Sequence, residues 1–568
     1  MKDDNRNFVI FAVLAAFILF AWQPIMGWFF PQPPAPVTIQ DGKIKAAPKP
    51  NADPTADSPA ATRDRKIVLA ESPRVAIDTP KLKGSINLKG ARIDDLVLLD
   101  YRETVEKGSD PIRLLSPVGA PDANFAGFGW QDNGLKPPSA DTVWQASGTV
   151  LSVGKPVTLQ AANGQGQTFR IELSVDDKYM FTVKQTVVNR GSGAVPVAAN
   201  ALVNRTGIPT EPDSWTIHVG PMAVYNGTAD YDIDYKTVDE APKAFNTTGG
   251  WLGFTEKYWL TAVVPDQGAA VSAQFRSGAN KSYQADYSYS PTLLAPNQAI
   301  TQTSHFFAGA KETRLLDTYE ESLGIVEFDK AIDWGWFGLI EKPIFYYLDW
   351  LFRMIGNFGV AIILLTITIR GLLYPVAHKQ FQSMARMRVL QPKLKALQEK
   401  YKEDKPRLQQ EMMQLYKTEK VNPVAGCLPL LLQIPIMFAL YKVLLLTIEM
   451  RHQPFVLWIR DLSAPDPLTP MDLFGFAPWA GHLPHFLAIG VVPILLGVSM
   501  YYQMKLNPAP MDEVQKQVFA LMPWVLMFMM ASFAVGLQIY WITSNMITIA
   551  QQWWLYRQHP HLKHKPAT

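Results

Sequence analysis

The sequence has 568 residues, of which 48% are hydrophobic and only 18% are charged. Soluble globular proteins carry about 25% charged residues, whereas here the apolar residues gather at 8–30 and again from about 352 to 556. One cysteine excludes a disulfide scaffold and a thiolate zinc cluster, and a formal net charge of +3 is by itself too small to indicate nucleic-acid binding. These values indicate a membrane protein with a large soluble insert.

The N-terminal segment, residues 1–30, predicts a membrane anchor. Its apolar run follows a short basic head and ends in the bulky triplet WFF, without a small-residue cleavage site. We therefore expect an uncleaved signal anchor with its N-terminus inside, and a cleaved signal peptide is the alternative. Residues 31–60 hold eight prolines and many alanines, which predicts a stiff, extended linker.

Residues 61–330 have the pattern of an all-β domain. The runs 179–189 (YMFTVKQTVVN) and 259–265 (WLTAVVP) are rich in β-formers and are bounded by Gly, Asn, Asp or Pro. With little helical periodicity, the segment predicts a large antiparallel β-sandwich. It contains two isolated histidines and neither a nucleophile elbow nor a P-loop, so we expect no metal site, no cofactor and no enzyme.

Residues 331–352 are rich in aromatic side chains, with a few charges among them. This composition predicts an amphipathic helix in the outer membrane interface, where aromatic rings sit at the level of the headgroups. The alternative is that the segment completes the core of the β-domain.

Residues 353–557 predict five more membrane-spanning helices. Three are expected at 354–376, 428–448 and 483–502, and the long run 518–556 predicts two. That run makes about 58 Å of helix, against about 60 Å for two crossings, and residues 532–536 supply the break. With the anchor, six spans result.

The distribution of Lys and Arg predicts the orientation of these spans. Segment 378–420 carries eleven basic and five acidic residues, whereas the loop 450–482 carries two basic ones. The N-terminus, 378–420, 503–517 and the tail 558–568 are then cytoplasmic, and the β-domain lies outside. Segment 378–420 itself predicts an antiparallel helical hairpin whose basic excess suits anionic lipid or ribosomal RNA.

Arg370 is the one arginine inside an otherwise apolar span. A charge within the membrane costs several kcal/mol and by default indicates function. One interpretation is that Arg370 reaches the nearby cytoplasmic interface with its long side chain. We favour a water-filled groove open to the cytoplasm, because Thr366 and Tyr374 are placed one turn before and after Arg370 on the same helical face.

Other polar residues lie in the predicted spans. Gln433 is in the third, and Gln538, Trp541, Asn545 and Gln552 share one face of the sixth. Lining of the groove and hydrogen bonding between helices both explain these side chains.

Methionine is concentrated in the same region: sixteen of the twenty lie between residues 354 and 546. Methionine suits surfaces that fit varied apolar partners, and ordinary packing is the alternative.

Several long motifs in this region carry a family resemblance. They are TITIRGLLYPVAHKQFQSMARM at 366–387, QPKLKALQEKY at 391–401, EMMQLYKTEKVNPVAGCLPLLLQIPIMFALY at 411–441, WIRDLS at 458–463 and GLQIYWITSNMITIAQQ at 536–552. Over about 350–557 the chain resembles the YidC family of bacterial membrane protein insertases, and its length and insert resemble the Gram-negative branch.

The resemblance implies an insertase and chaperone with no cofactor and no chemical step, similar to the Oxa-type insertases of organelles. It implies a β-supersandwich for the insert and a multi-pass location in the bacterial inner membrane. The implied partners are nascent membrane proteins, the Sec translocon (SecYEG and SecDF), ribosome–nascent chain complexes and anionic lipids.

The resemblance also assigns candidate site residues. The substrate-binding groove is expected to contain Arg370, Thr366, Gln433, Gln538, Trp541, Asn545 and Trp524. The hairpin residues expected to receive substrate are Arg386, Arg388, Lys393 and Glu411. The chain departs from relatives that have two tyrosines in the last span, because it has Tyr540 followed by Trp541.

Two other functions are compatible with parts of the pattern. In an anion transporter, Arg370 would bind a small anion, but no inverted repeat is visible. In a membrane-anchored periplasmic binding module, the β-domain would carry the function and the spans would be inert. Deleting 352–556 or 61–330 separates these possibilities, because an insertase requires the former segment.

Overall fold

A computed structural model describes residues 62–209, 217–335, 338–401, 404–419, 428–470, 489–506 and 513–558. Within these ranges the side chains of 379–389, 391, 395, 405, 428–433, 513–516, 518, 519, 555, 556 and 558 are not described. The predicted anchor at 1–30, the linker at 31–60 and residues 559–568 of the predicted tail lie outside the described residues.

The N-terminal half of the described chain is built from strands. After helix α1 (Arg65–Ala70) come β1 (Arg74–Asp78), β2 (Leu82–Asn87), β3 (Arg92–Arg102), β4 (Pro111–Leu115), β5 (Asn124–Trp130), β6 (Gln145–Ala146), β7 (Val150–Leu151), β8 (Val157–Ala162), β9 (Gln167–Val175), β10 (Met180–Asn189), β11 (Val195–Val197), β12 (Ala199–Thr206), β13 (Gly220–Tyr225) and β14 (Thr228–Asp230). Helix α2 (Tyr235–Glu240) precedes β15 (Lys243–Thr248), β16 (Trp251–Thr255), β17 (Trp259–Val264), β18 (Ala270–Gly278), β19 (Ser282–Tyr289), β20 (Thr292–Leu294) and β21 (Ala299–Ala310).

Among the described residues these strands form two large sheets. One has ten strands in the order β15-β18-β19-β12-β5-β3-β2-β1-β7, with β4 paired to β3. The other has nine strands in the order β14-β13-β16-β17-β21-β10-β9-β8-β6, and β11 pairs separately with β20. In the central hairpin, β9 and β10 are antiparallel with Val183 opposite Leu173.

The two sheets pack face to face. Along β9, buried Phe169, Ile171 and Leu173 alternate with more exposed residues, the period of a strand with one face in a core. From the other sheet, the ring of Trp130 meets that of Phe169, with centroids 5.0 Å apart. This packing confirms the predicted β-sandwich.

The C-terminal half of the described chain is helical. Its helices are α3 (Thr313–Leu323), α4 (Gly338–Ile355), α5 (Phe358–Leu372), α6 (Tyr374–Lys400), α7 (Lys405–Thr418), α8 (Leu428–Leu446), α9 (Val491–Leu506), α10 (Glu513–Met530) and α11 (Val535–Gln558). Within the described ranges, no helix combines the length and the apolarity of a complete membrane span. The six spans therefore stay a prediction.

Two helix breaks divide the segment for which a single span at 354–376 is expected. Gly356 has a φ of 75°, a left-handed conformation that ends α4 at little cost for glycine. Asn357 then begins α5, because its side chain accepts a hydrogen bond from the Val360 amide at 3.1 Å. Pro375 lies in the first turn of α6, a position that favours the start of a new helix.

Other boundaries also differ from the expected ones. The helix expected at 331–352 runs from Gly338 to Ile355, and the long run 518–556 is divided at residues 531–534. The hairpin expected at 378–420 consists of α6, which begins earlier, and α7. Its two helices meet where buried Leu390 and Leu394 pack against Met412, Leu415 and Tyr416.

Candidate functional site

Arg370 lies in the last turn of α5, a helix that packs against α11. Its Nε donates a hydrogen bond to the Oγ of Ser544 at 2.9 Å, and its Nη2 donates to the same oxygen. Ser544 is fully buried, whereas Arg370 is half-buried. The C-terminal end of a helix dipole favours a cation, so the position on α5 stabilises the guanidinium.

The partner of Arg370 is neutral. Within the described residues both hydrogen bonds of the guanidinium go to the Ser544 hydroxyl, and no carboxylate pairs with it. The positive charge is therefore positioned by the protein without being neutralised by a described side chain.

Thr366 lies one turn before Arg370 and is fully buried. Its Oγ1 donates to the Ile362 carbonyl at 2.7 Å, so this hydroxyl is satisfied within its own helix. Tyr374, expected to continue the same polar face, belongs to α6 instead. The expected stripe of three residues is thus divided between two helices.

Gln538 and Asn545 make hydrogen bonds that brace the helices. The Gln538 Nε2 donates to the carbonyls of Met530 and Phe533 at 2.8 and 2.9 Å, which closes the turn between α10 and α11. The Asn545 Nδ2 donates to the Oγ of Ser499 on α9 at 2.9 Å. This geometry favours the second interpretation of these residues, hydrogen bonding between helices.

The remaining groove candidates lie on several helices. Trp541, on α11, packs against the core of the helical half. Trp524, on α10, is 39% exposed, and its ring centroid lies 6.3 Å from that of Tyr501 on α9. Gln433 belongs to α8, but its side chain lies outside the described residues.

The hairpin candidates are also only partly described. Arg386 and Arg388 lie on α6, and their side chains lie outside the described residues. Lys393 is exposed and pairs at 2.7 Å with Glu419, the residue that follows α7, while Glu411 is half-buried on α7. The pair between Lys393 and Glu419 joins the two helices at the surface.

Ser544 was not among the residues expected from the sequence. A signal for it exists, because it lies three residues after Trp541 and four before Thr548 and so shares their helical face. The signal is weak, because a serine in an apolar helix often bonds only to its own backbone.

A second group of polar residues joins α3, the helix that directly follows the β-domain, to the helices that come later in the chain. We call it the junction: it comprises α3 with residues 327–335 on one side, and α4 with Lys442 and residues 447–451 on the other. Arg314 of α3 pairs with buried Asp349 of α4 at 2.7 Å. The Lys442 Nζ lies 3.7 Å from Asp333 Oδ1.

Two carboxyls in the junction have raised pKa values. Glu341 is fully buried, and burial raises its pKa to about 7 although Lys442 opposes the shift. Burial also raises the pKa of Glu449 to about 7, against the opposing effect of backbone hydrogen bonds that include one from Thr313. Desolvation of the charged form causes both shifts.

No group of three or more His, Cys, Asp or Glu residues within the described ranges is placed to hold a metal ion.

Two family models match the chain. The one described as 60Kd inner membrane protein matches residues 350–563, and the one described as YidC periplasmic domain matches residues 74–347. A crystal structure of an active YidC insertase, with its first transmembrane domain resolved, is 19% identical. The match covers 85% of this chain and 93% of the chain in that structure, with a TM-score of 0.38.

Curated relatives match almost the whole length. A protein of Zymomonas mobilis subsp. mobilis named membrane protein insertase YidC is 47% identical, over 98% of this chain and 96% of the relative. A protein of the same name from Methylobacterium nodulans is 43% identical, over 98% of this chain and 96% of the relative. The chain therefore belongs to the YidC family of membrane protein insertases.

Proposed function

We propose that the chain inserts membrane proteins through a hydrophilic groove in the cytoplasmic half of the bilayer, with Arg370 as the charged residue of that groove. Family membership makes the chain an inner membrane protein with a periplasmic domain and an insertase of membrane proteins, without an enzymatic step. The groove and its residues are the parts that this proposal adds.

The observation that carries the proposal is the environment of Arg370. Its guanidinium is held against the Ser544 hydroxyl, and within the described residues no carboxylate pairs with it. A charge in an apolar helix pair is costly unless water or a polar partner stabilises it. We infer that water and the polar end of a substrate supply that stabilisation.

The groove lowers the barrier to insertion. A polar chain segment that enters hydrocarbon loses its hydrogen bonds to water, which costs several kcal/mol. A groove that contains Arg370 and water keeps the segment hydrated across the cytoplasmic half of the bilayer. The apolar segment of the substrate then moves sideways into lipid, where burial gains about 25 cal/mol per Å² of apolar surface. This gain drives the reaction without a nucleotide.

Six spans give the groove its orientation. They are the anchor at 1–30, three spans at 354–376, 428–448 and 483–502, and two within 518–556, with both termini in the cytoplasm. The basic hairpin 378–420 then lies beside the cytoplasmic mouth of the groove, near Arg370. There it receives ribosome–nascent chain complexes and contacts anionic lipids, and the insertase works alone or with the Sec translocon (SecYEG and SecDF).

The remaining candidates divide between lining and support. Gln433, Trp541 and Trp524 line the groove, while buried Thr366, Gln538 and Asn545 support the helices around it. This division rests on the bonds of Gln538 to carbonyls and of Asn545 to Ser499.

Site-specific photocrosslinking tests whether substrate occupies this region. Ile367 is 49% exposed on α5, three residues before Arg370, and Met354 is 67% exposed near the end of α4. With benzoylphenylalanine in place of Ile367, we expect crosslinks to a ribosome-arrested, single-span substrate; in place of Met354, we expect few. Equal crosslinking from both positions would contradict a groove at Arg370.

A further inference from the structure

We propose that Ser544 is a positioning residue for Arg370: its hydroxyl orients the guanidinium without neutralising it, and it thereby strengthens the preference for an acidic translocated segment that the charge of the groove confers. The inference rests on the proposed groove function of Arg370.

The hydrogen bonds define which edge of the guanidinium is held. Nε and Nη2 of Arg370 both donate to the Oγ of Ser544. A hydroxyl oxygen has two lone pairs and therefore accepts both bonds. Nη1 makes no hydrogen bond to a described residue, so the end of the guanidinium that carries it remains available to substrate.

Ser544 is itself firmly held. It is fully buried on α11. The next residue, Asn545, joins the same helix to α9 through Ser499. A long, flexible arginine side chain thus gains a fixed direction from a rigid neighbour, which lowers the entropy that substrate binding must remove.

The chemical identity of the partner decides the selectivity. A carboxylate at this position would form an ion pair and remove the net charge that attracts an anionic segment. A serine hydroxyl fixes the geometry and leaves the full positive charge. Acidic carboxylates on the substrate then form charge-assisted hydrogen bonds with Nη1, whereas neutral or basic segments do not.

The test uses the full chain reconstituted in liposomes, with a single-span substrate whose translocated segment carries a net charge of −2, 0 or +2. Protease protection measures insertion. The two variants are Ser544→Thr and Ser544→Val. Threonine and valine side chains have nearly the same size, and only threonine carries a hydroxyl, so a difference between the variants reports the hydrogen bond to Arg370 and not a change in packing. Thr548→Val is the control, because the Thr548 hydroxyl bonds to its own helix.

We expect the valine variant at 544 to insert the acidic substrate at least about tenfold more slowly than the threonine variant, the scale of one lost hydrogen bond to a charged group. The two variants should insert the neutral and basic substrates at similar rates, and Thr548→Val should keep the wild-type charge dependence. A valine variant that slows all three substrates equally would reduce Ser544 to a packing role and overturn the inference.

Arg370→Ala in the same assay separates this inference from the proposed function. If Arg370→Ala impairs insertion while the threonine and valine variants at 544 have the same charge dependence, the groove stands and the positioning role fails. If Arg370→Ala has no effect on any substrate, the groove itself fails.

Discussion

Glu449 caps a helix that lies 136 residues earlier in the chain: its Oε1 accepts a hydrogen bond from the backbone amide of Thr313 at 2.9 Å. Thr313 begins α3, the helix that follows the last strand of the β-domain, and the residue before it, Glu312, makes no side-chain capping bond. The loop after α8 therefore supplies the cap that α3 lacks locally, and it ties the β-domain to the helical half.

We expect Glu449→Ala to destabilise this connection. Loss of a capping acceptor costs about 1–2 kcal/mol, and the first turn of α3 should lose protection in amide hydrogen exchange. Glu321→Ala is the matched control, because Glu321 is an exposed carboxylate on the same helix. Unchanged exchange in the first turn of α3 in Glu449→Ala would show that the bond contributes no stability.

Glu341 predicts a pH dependence of stability. Its pKa is about 7 in the folded protein and its ordinary value is 4.5. A folded pKa above the unfolded one gives stability that is fully present below pH 4.5 and is lost as the pH rises through 7, by about 3 kcal/mol for this shift. The melting temperature should therefore fall between pH 5 and pH 8.

Glu341→Gln should flatten this pH dependence, because a neutral amide does not ionise. Part of the slope should remain, since Glu449 titrates in the same range with the same sign. Glu106→Gln, at an exposed position, should leave the slope unchanged. The account of Glu341 fails if its variant and the wild-type chain have parallel melting curves from pH 5 to pH 8.

The packing of the α6–α7 hairpin can be tested at Leu394, which is 4% exposed. Leu394→Ala leaves a cavity against Met412, Leu415 and Tyr416, with an expected cost of about 2–3 kcal/mol. Trypsin should then cleave the lysine-rich hairpin faster. Met413→Ala is the control, because Met413 is 53% exposed; equal cleavage of both variants would mean that the hairpin does not depend on this contact.

The sequence predicts the β-sandwich because the alternation of apolar and polar residues along strands such as β9 is a local signal. It did not reach the strand order, since pairs such as Val183 with Ser304 join residues far apart in the chain. Local signals also mark the breaks at Gly356 and Pro375, but the long apolar run around them favoured a single span.

The candidate site was predictable to a similar extent. Arg370 stands out because a charge in an apolar run is rare. Its partner Ser544 does not, because serine is tolerated in helices and the contact depends on how α5 and α11 pack. The hydrogen bond between Glu449 and the Thr313 amide cannot be predicted from the local sequence either, because only the tertiary structure brings the two residues together.

The most direct test of the central claim is insertion by Arg370→Ala in liposomes that contain the full-length chain and a small, Sec-independent substrate. Because the groove depends on this charge, we predict an insertion rate at least about tenfold below wild type and partial activity in Arg370→Lys. Normal activity is expected in Arg460→Ala, because Arg460 is an exposed arginine in the loop between α8 and α9. Wild-type insertion by Arg370→Ala would contradict the account.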